Sequence, residues 1–461
     1  MLAILARAPE SRRAALLETT LSTGDSPAQK PRPVPRDPGG THRPATGRVL
    51  LILGGAALAV LVGAIALSLS PPVKKIDRLV DEALTPALAP RGVSDTEIVL
   101  GMASPFTGAN RELGSGMRAG VEAALAEVNA AGGIHGRRLR LVAVDDGYEP
   151  SRTLPAMRQL VEKDRVFAVI GNVGTPTAAV SVPYALRQRV VFFGALSGGD
   201  LLRRTPPDRY VFNFRASYAQ ETAAAVRWLT GARRIAPARI AVFAQEDEFG
   251  ESGWRGATEQ LRARGVDPAG VLRVGYRRNT AEVTQAVASL KERARSVDAV
   301  VMVATYQAAA AFIRKLREAG LRQLTTNVSA VDSDALAEEL AGDGKSFTEG
   351  VFVTQIVPLP SAHVPGVIRF REAMARHGGE ARAGFVALEG YLAAQTLIEA
   401  LRRTGRDLDT ESLVATLEDV RHLDLGIGAR ISFGPDDHQG SHQVWGTLLQ
   451  PDGTWKQVAQ E

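Results

Sequence analysis

From Glu97 to the C-terminus the chain alternates between short apolar runs and segments of helical spacing, and this alternation constrains the fold more than any other feature. A strand, a helix and another strand in succession form a βαβ unit, whose strands lie parallel in a sheet covered by helices on both faces. Glu97–Met102 reads EIVLGM. Leu113–Ala131 then puts Met117, Val121, Ala124, Leu125 and Val128 at helical spacing and stops at Gly132-Gly133, a good helix end. Strands are expected over Leu139–Val144, Val166–Ile170 and Val190–Phe193, with helices over Thr153–Glu162 and Thr177–Leu186. After Tyr218 strands fall near 239–244, 271–274, 298–303 and 351–354. Helices fall near 219–230, 251–264, 281–294, 307–319, 333–341, 367–376 and 385–403, and short strands near 427–433, 443–449 and 454–458 close the chain. About 365 residues of this pattern are too many for one compact sheet, so two α/β lobes are expected.

In open α/β sheets ligands bind outside the carboxyl ends of the strands. The chemistry-bearing residues cluster there: Ser104–Gly108 after the first strand, Asp145–Pro150 after the second, Gly171–Thr177 after the third and Gly194–Gly199 after the fourth. Glycine lets a ligand approach the backbone, and hydroxyls and free N–H groups at helix starts suit a carboxylate. Each loop alone is also what any βα turn looks like; four in succession point to a cleft. Tyrosines sit just past strands at 148, 218, 276 and 306, although aromatic residues make up only 5% of the chain. A phenol offers an apolar face and a hydroxyl, which suits a small amphipathic solute. The run Gln245-Glu246-Asp247-Glu248 offers a carboxylate at another strand end.

Residues 1–48 carry eight Lys/Arg and four acidic residues, with six prolines between Pro27 and Pro44, and are expected to be a disordered basic tail. The remainder holds 47 basic and 46 acidic residues, which argues against nucleic-acid binding by the folded body. Val49–Ser70 is 22 residues without a charge, enough to cross a hydrocarbon core of about 30 Å. It is expected to be one transmembrane helix, either a signal-anchor or a signal peptide cleaved near Ala66-Leu67-Ser68. The basic residues ahead of it place the body outside the cytoplasm, and residues 71–94 are expected to be a stalk. The chain has no cysteine, which excludes disulfides, cysteine–metal clusters and a lipid-modified cysteine.

Several strings together resemble the type I periplasmic binding proteins, in the branch of branched-chain amino-acid and amide binders. These are SPFTG at 104–108, EVNAAGGIHGR at 127–137, IGNVGTPTA at 170–178, FFGALSGGDLLR at 192–203, TEGVFVTQIVP at 348–358 and LEGYLAAQTLIEAL at 388–401. The resemblance covers roughly 95–461. It implies two Rossmann-like lobes joined by a three-strand hinge. The first lobe would comprise 95–217 and 357–430, and the second 218–356 and 431–461. It also implies that Val173, Gly174, Thr175, Ala195, Ser197 and Gly198 meet a solute carboxylate. Tyr218, Tyr306 and Asp332 are the matching candidates for an amino group, and Glu246 is a further one. Amino-acid binders of the family carry several Ser/Thr in the first loop, whereas this one reads Val-Gly-Thr-Pro, which leaves organic acids and amides open.

No Gly-x-Ser-x-Gly elbow, phosphate-binding Gly-Lys-Ser/Thr loop or GxGxxG spacing occurs. Asp436, Asp437, His438 and His442 could gather a metal, but they lie in a Gly/Pro-rich loop rather than on a helix; no metal site is expected, and His438 is expected to be a turn or capping residue. The expectation is thus an extracytoplasmic solute-binding protein without cofactor or chemistry, delivering to an ABC importer. A membrane-anchored sensor subunit and an enzyme on the same fold are the alternatives.

Overall fold

The computed structural model describes residues 90–341 and 347–459. The expected tail, the apolar stretch 49–70 and the first part of the expected stalk lie outside the described residues. Among the described residues no helix is long and apolar enough to cross a membrane.

Five strands form the first sheet: β1 (Glu97–Ser104), β2 (Arg138–Asp145), β3 (Ala168–Ile170), β4 (Val191–Phe193) and β5 (Val211–Phe212). All run parallel, in the order β2-β1-β3-β4-β5. Helices α1 (Arg111–Ala130), α2 (Pro150–Arg158) and α3 (Thr175–Gln188) connect them. Pro150 and Pro176 sit in the first turns of α2 and α3, where the missing N–H costs no helical bond. The alternation reverses from the centre outward at the β1/β3 neighbours, so the ends of β1 and β3 open onto one crevice.

The chain then enters α4 (Tyr218–Thr230), started by a reciprocal cap between Ser217 and Gln220. The strands β6 (Ile240–Gln245), β7 (Arg273–Tyr276), β8 (Ala299–Val303), β9 (Leu324–Asn327) and β10 (Val351–Gln355) follow. They alternate with α5 (Glu248–Arg262), α6 (Thr284–Glu292), α7 (Tyr306–Glu318) and α8 (Ser333–Ala341). Every residue of β6, β8 and β10 is buried, as expected of parallel strands covered on both faces.

Helices α9 (Pro365–His377), α10 (Phe385–Thr404) and α11 (Thr410–Glu418) follow, and α10 packs along α1. The two helices touch backbone to backbone: a Cβ on Gly120 would lie 1.9 Å from the Ala387 carbonyl oxygen. A two-stranded ribbon, β11 (Leu423–Asp424) with β12 (Arg430–Ile431), comes next. The segment beyond it lies beside β5, where Asn213 bridges Gln439, and then β13 (Trp445–Leu449) and β14 (Trp455–Val458) join the second sheet antiparallel. The second sheet runs β14-β13-β10-β9-β8-β6-β7. The chain thus passes between the two sheets three times, after β5, after β10 and after β12. Phe212 stacks on His438 at 3.9 Å, so this histidine is packed against an aromatic ring.

Candidate functional site

The loops after β3 and β4 run on as a pair beyond the sheet. Leu196 N–H donates to Asn172 O (2.9 Å) and Gly174 N–H to Leu196 O (3.2 Å), and Val173 bridges Leu196. This pairing brings Thr175, the first residue of α3, opposite Ser197. Their hydroxyls lie 2.8 Å apart, and neither residue is exposed. Gly199 N–H donates to Ser197 Oγ (3.2 Å). The backbone N–H groups of Val173 and Ala195 have no acceptor among the described residues, and that of Gly198 faces the Tyr218 hydroxyl. Unspent N–H groups and hydroxyls at a helix start form a ready acceptor site for an anion.

Two glycines keep these loops thin. Gly174 has φ 105°, and a Cβ there would lie 2.4 Å from the Tyr148 ring. A Cβ on Gly198 would lie 2.6 Å from the Tyr218 ring. Tyr218 N–H donates to Gly198 O (2.8 Å), so the first residue of α4 is tied to the second loop. The Tyr218 ring sits 5.0 Å from Phe249 and beneath the Arg215 guanidinium. Burial pushes its phenol up, against the pull of Arg215.

The second sheet contributes Gln245, Tyr276, Tyr306 and Asp332. Gln245 and Tyr276 are register partners at the ends of β6 and β7. Tyr276 donates its hydroxyl to Gln245 Oε1 (2.9 Å) and accepts from Thr305 N–H (3.0 Å). Gln245 Nε2 donates to Asp247 Oδ2 (2.7 Å), which also faces Arg278 at 3.2 Å. Asp247 is therefore already engaged. Tyr306 opens α7, is 3% exposed, and its hydroxyl meets no hydrogen-bond partner among the described residues. Burial, and next the Glu112 carboxylate, push that phenol up to about 12. Asp332 has left-handed backbone (φ 64°) and lines a cavity of about 250 Å³ together with Glu112, Ser115, Asp334 and Arg382. Its carboxyl accepts Ala335 N–H (3.2 Å) and is pushed up to about 7, by burial first and by Asp334 second.

Of the ten residues expected from sequence, Val173, Gly174, Thr175, Ala195, Ser197, Gly198 and Tyr218 form one buried group. Tyr306 and Asp332 are buried on the second-sheet side, where each senses Glu112 of α1. Glu246 is not among this group. It is exposed and lines a separate depression with Glu251 and Arg273.

Sequence reasoning missed the residues that hold the loops in place. Arg203 donates to Ser197 O (3.2 Å), Gly199 O (3.1 Å), Arg215 O (2.9 Å) and Gln439 Oε1 (2.7 Å). Burial and the neighbouring Arg215 lower its guanidinium to about 10, so it stays charged at neutral pH. Arg215, fully buried, pairs with Glu221 (3.0 Å) and Glu389 (3.4 Å) and also meets Ser329. Glu221 in turn accepts Ser329 N–H and the Thr354 hydroxyl, each at 2.7 Å. Arg215 and Gln439, from the first and third passages between the sheets, and Thr354 near the end of β10 are thereby bonded into one cluster. The motif signal was present, because Arg203 ends the FFGALSGGDLLR string, but its partners are remote in sequence.

The lobes also meet directly. Asn279 donates to Gly147 O (3.1 Å) and Glu149 Oε1 (2.6 Å) and accepts from Asn110 Nδ2 (2.7 Å). Arg278 pairs with Glu149 (3.1 Å), and Arg255 with Asp200 (2.6 Å).

Comparison with known proteins places this geometry. A family model described as periplasmic binding protein matches residues 97–454. An amino acid binding protein of Pseudomonas aeruginosa is 26% identical over 67% of this chain and 79% of its own length. A Leu/Ile/Val-binding protein homolog of Brucella suis is 25% identical over 80% of this chain and 90% of its own. Among solved structures, one of a possible leucine/isoleucine/valine-binding protein from Rhodopirellula baltica is 36% identical with a TM-score of 0.75, covering 82% of this chain and 98% of that one. A branched-chain amino acid transporter protein of Thermus thermophilus, solved with bound valine, shares the fold at a TM-score of 0.69 and 19% identity, over 80% of this chain and 96% of that one.

Proposed function

This chain belongs to the periplasmic binding protein family, and from that premise we propose that it captures a small solute bearing a carboxylate between its lobes. An amino acid of the branched-chain class is the favoured solute, since the relatives above are named for binding such amino acids. Delivery to an ABC importer follows as the output. The relatives are named as binding proteins, and the reading is of capture without chemistry.

The observation that carries the proposal is the buried Thr175–Ser197 hydroxyl pair among unspent backbone N–H groups. That arrangement accepts a carboxylate without any formal charge of its own. On the second-sheet side, the Tyr306 hydroxyl and the Asp332 carboxyl, neither with a hydrogen-bonding or ion-pair side-chain partner among the described residues, are suited to an ammonium group. Closure of two lobes over a solute is then a hinge motion about the three passages.

The test is a thermal-shift screen of the full-length protein against branched-chain amino acids, amides, dicarboxylates and aromatic acids. A solute that binds only the folded state raises the melting temperature by mass action. A multi-degree shift confined to α-amino acids supports the reading, and a shift confined to dicarboxylates or amides overturns the amino-acid form of it. The uncharged stretch Val49–Ser70 favours a second reading of the output, a membrane-tethered receptor signalling through a partner. N-terminal sequencing of the protein isolated from membranes separates the two: an intact N-terminus supports the tether, and cleavage near Ser68 removes it.

A further inference from the structure

Tyr148 is one of four tyrosines that sit past strand ends, and the fold gives it a place the others do not share. Its backbone is left-handed (φ 62°), a state a bulky residue enters only where its surroundings hold it. A buried turn does so: Asp146 Oδ1 accepts Tyr148 N–H (2.9 Å), and Thr153 holds the other carboxylate oxygen (2.9 Å). The side chain is 2% exposed. Its ring lies directly on Gly174, in the loop that presents Val173 and Thr175.

The hydroxyl reaches across to the second lobe, where Gln245 Nε2 approaches it at 3.5 Å, a long contact. Tyr276 provides the contrast. Its hydroxyl both donates to Gln245 and accepts from Thr305, so its hydrogen-bonding capacity is spent within the protein. The proton of the Tyr148 hydroxyl meets no acceptor among the described residues. A buried donor without an acceptor is costly unless something else supplies one. Burial, and next the Asp247 carboxylate, hold the phenol protonated. The loop that carries it is clamped on its far side by Arg278 and Asn279, which hold Glu149 and the Gly147 carbonyl. The ring is thus a fixed wall rather than a mobile flap.

We infer that Tyr148 is a solute-contacting and specificity-determining residue: its ring limits the length of the solute beside Val173–Thr175, and its hydroxyl donates to a solute oxygen. The inference rests on the solute-capture reading above.

Calorimetric titration of the full-length protein with L-alanine, L-valine, L-leucine and L-phenylalanine tests it. Tyr148→Gly removes the ring and suits the left-handed backbone. Tyr148→Asn, which also tolerates that backbone, gives the same readout where the glycine variant does not fold. Tyr148→Phe keeps the ring alone. The truncated variants should raise the affinity for phenylalanine relative to alanine at least about tenfold over wild type. Tyr148→Phe should keep the wild-type size ranking with affinities about three- to tenfold weaker, the fold-change of one lost hydrogen bond. An unchanged size ranking in the folded truncated variants overturns the wall, and wild-type affinities in Tyr148→Phe overturn the hydroxyl contact. A wild type that binds none of the four overturns the amino-acid reading, and this inference with it.

Discussion

Thr175 and Ser197 stand 22 positions apart in sequence, yet their hydroxyls share a hydrogen bond of 2.8 Å in a place water does not reach. The bond exists because the loops after two neighbouring strands pair as if the sheet continued. Thr175→Val keeps the shape and removes the hydroxyl. It should weaken solute binding at least about tenfold, and leaving Ser197 short of one partner should cost about 1–3 kcal/mol of stability. Calorimetry and urea denaturation read the two effects, and wild-type affinity in the folded variant would remove this pair from the site.

Gly174 should not accept a side chain. Alanine there meets both a left-handed backbone and the Tyr148 ring, and should destabilise by about 1–3 kcal/mol. Gly108, also left-handed at φ 81° but open to space, is the control, with an expected loss of about 1 kcal/mol from Gly108→Ala. Equal losses in urea melts would show that the ring contact contributes nothing.

Asp332 should make both stability and binding pH-dependent. Its carboxyl titrates near 7 in the folded protein, raised by burial and by Asp334 and Glu112 against the pull of Arg382. A raised carboxyl binds its proton more tightly when folded, so its contribution to stability falls as pH rises from about 4 to 7 and is level above that. Asp332→Asn should therefore gain stability relative to wild type at pH 8 and lose that advantage toward pH 4. An ammonium-bearing solute favours the ionised form, so its affinity should rise with pH up to about 7 in wild type, and this slope should be absent in the variant. Parallel pH profiles for the two proteins would count against Asp332 as the group that meets the ammonium.

Arg215→Met should cost about 3–5 kcal/mol, because it strands two buried carboxylates, Glu221 and Glu389. The loss should shrink in mild acid, since burial already raises Glu389 to about 7 and it can take up a proton. Arg118→Met, which removes an exposed pair with Glu122, should change stability by less than about 1 kcal/mol. Urea melts at pH 8 and pH 6 distinguish these outcomes.

Asn279→Gly keeps the left-handed turn (φ 58°) and removes three bonds between the lobes. At about 0.5–1.5 kcal/mol each, their loss should shift the balance toward an open form at least about tenfold. The chain lacks cysteine, so spin labels on one introduced cysteine in α2 and one in α6 report the distance unambiguously. A distance distribution identical to wild type would show that these bonds do not hold the lobes together.

The alternation that set the fold was legible because buried parallel strands such as Val99–Met102 and Ala299–Val303 are nearly continuous apolar runs. The strand β9 escaped that reading. Its Thr325, Thr326 and Asn327 are polar by composition yet at most 2% exposed, and their pairing with β8 and β10 keeps them there. The helix α11 is short and its signal lies in the Asp409–Ser412 cap rather than in its apolar content. At the site, the loop residues were legible because glycine and hydroxyls at strand ends have few other uses. Choosing between Gln245 and Glu246 was not, since Gln245 is the last residue of the buried strand β6 and Glu246 the first beyond it, and no residue pattern marks where that strand stops. The Arg203 and Arg215 clusters draw in partners remote in sequence, Gln439 at 236 positions from Arg203 and Glu389 at 174 from Arg215, and no local pattern announces those.

The grip of Arg203 bears on any attempt to retarget this protein. One guanidinium holds the Ser197–Gly199 backbone and, through Arg215 and Gln439, two of the three passages between the sheets. The loop cannot be treated as an interchangeable cassette. A loop transplanted from a relative with a different preference would arrive without its anchor and would alter the swing of the lobes along with the fit of the solute. Under the proposed capture by lobe closure, recognition and motion would form one heritable block, and a biosensor built on this scaffold would need to move Arg203, Arg215 and Gln439 together with the residues that touch its new analyte.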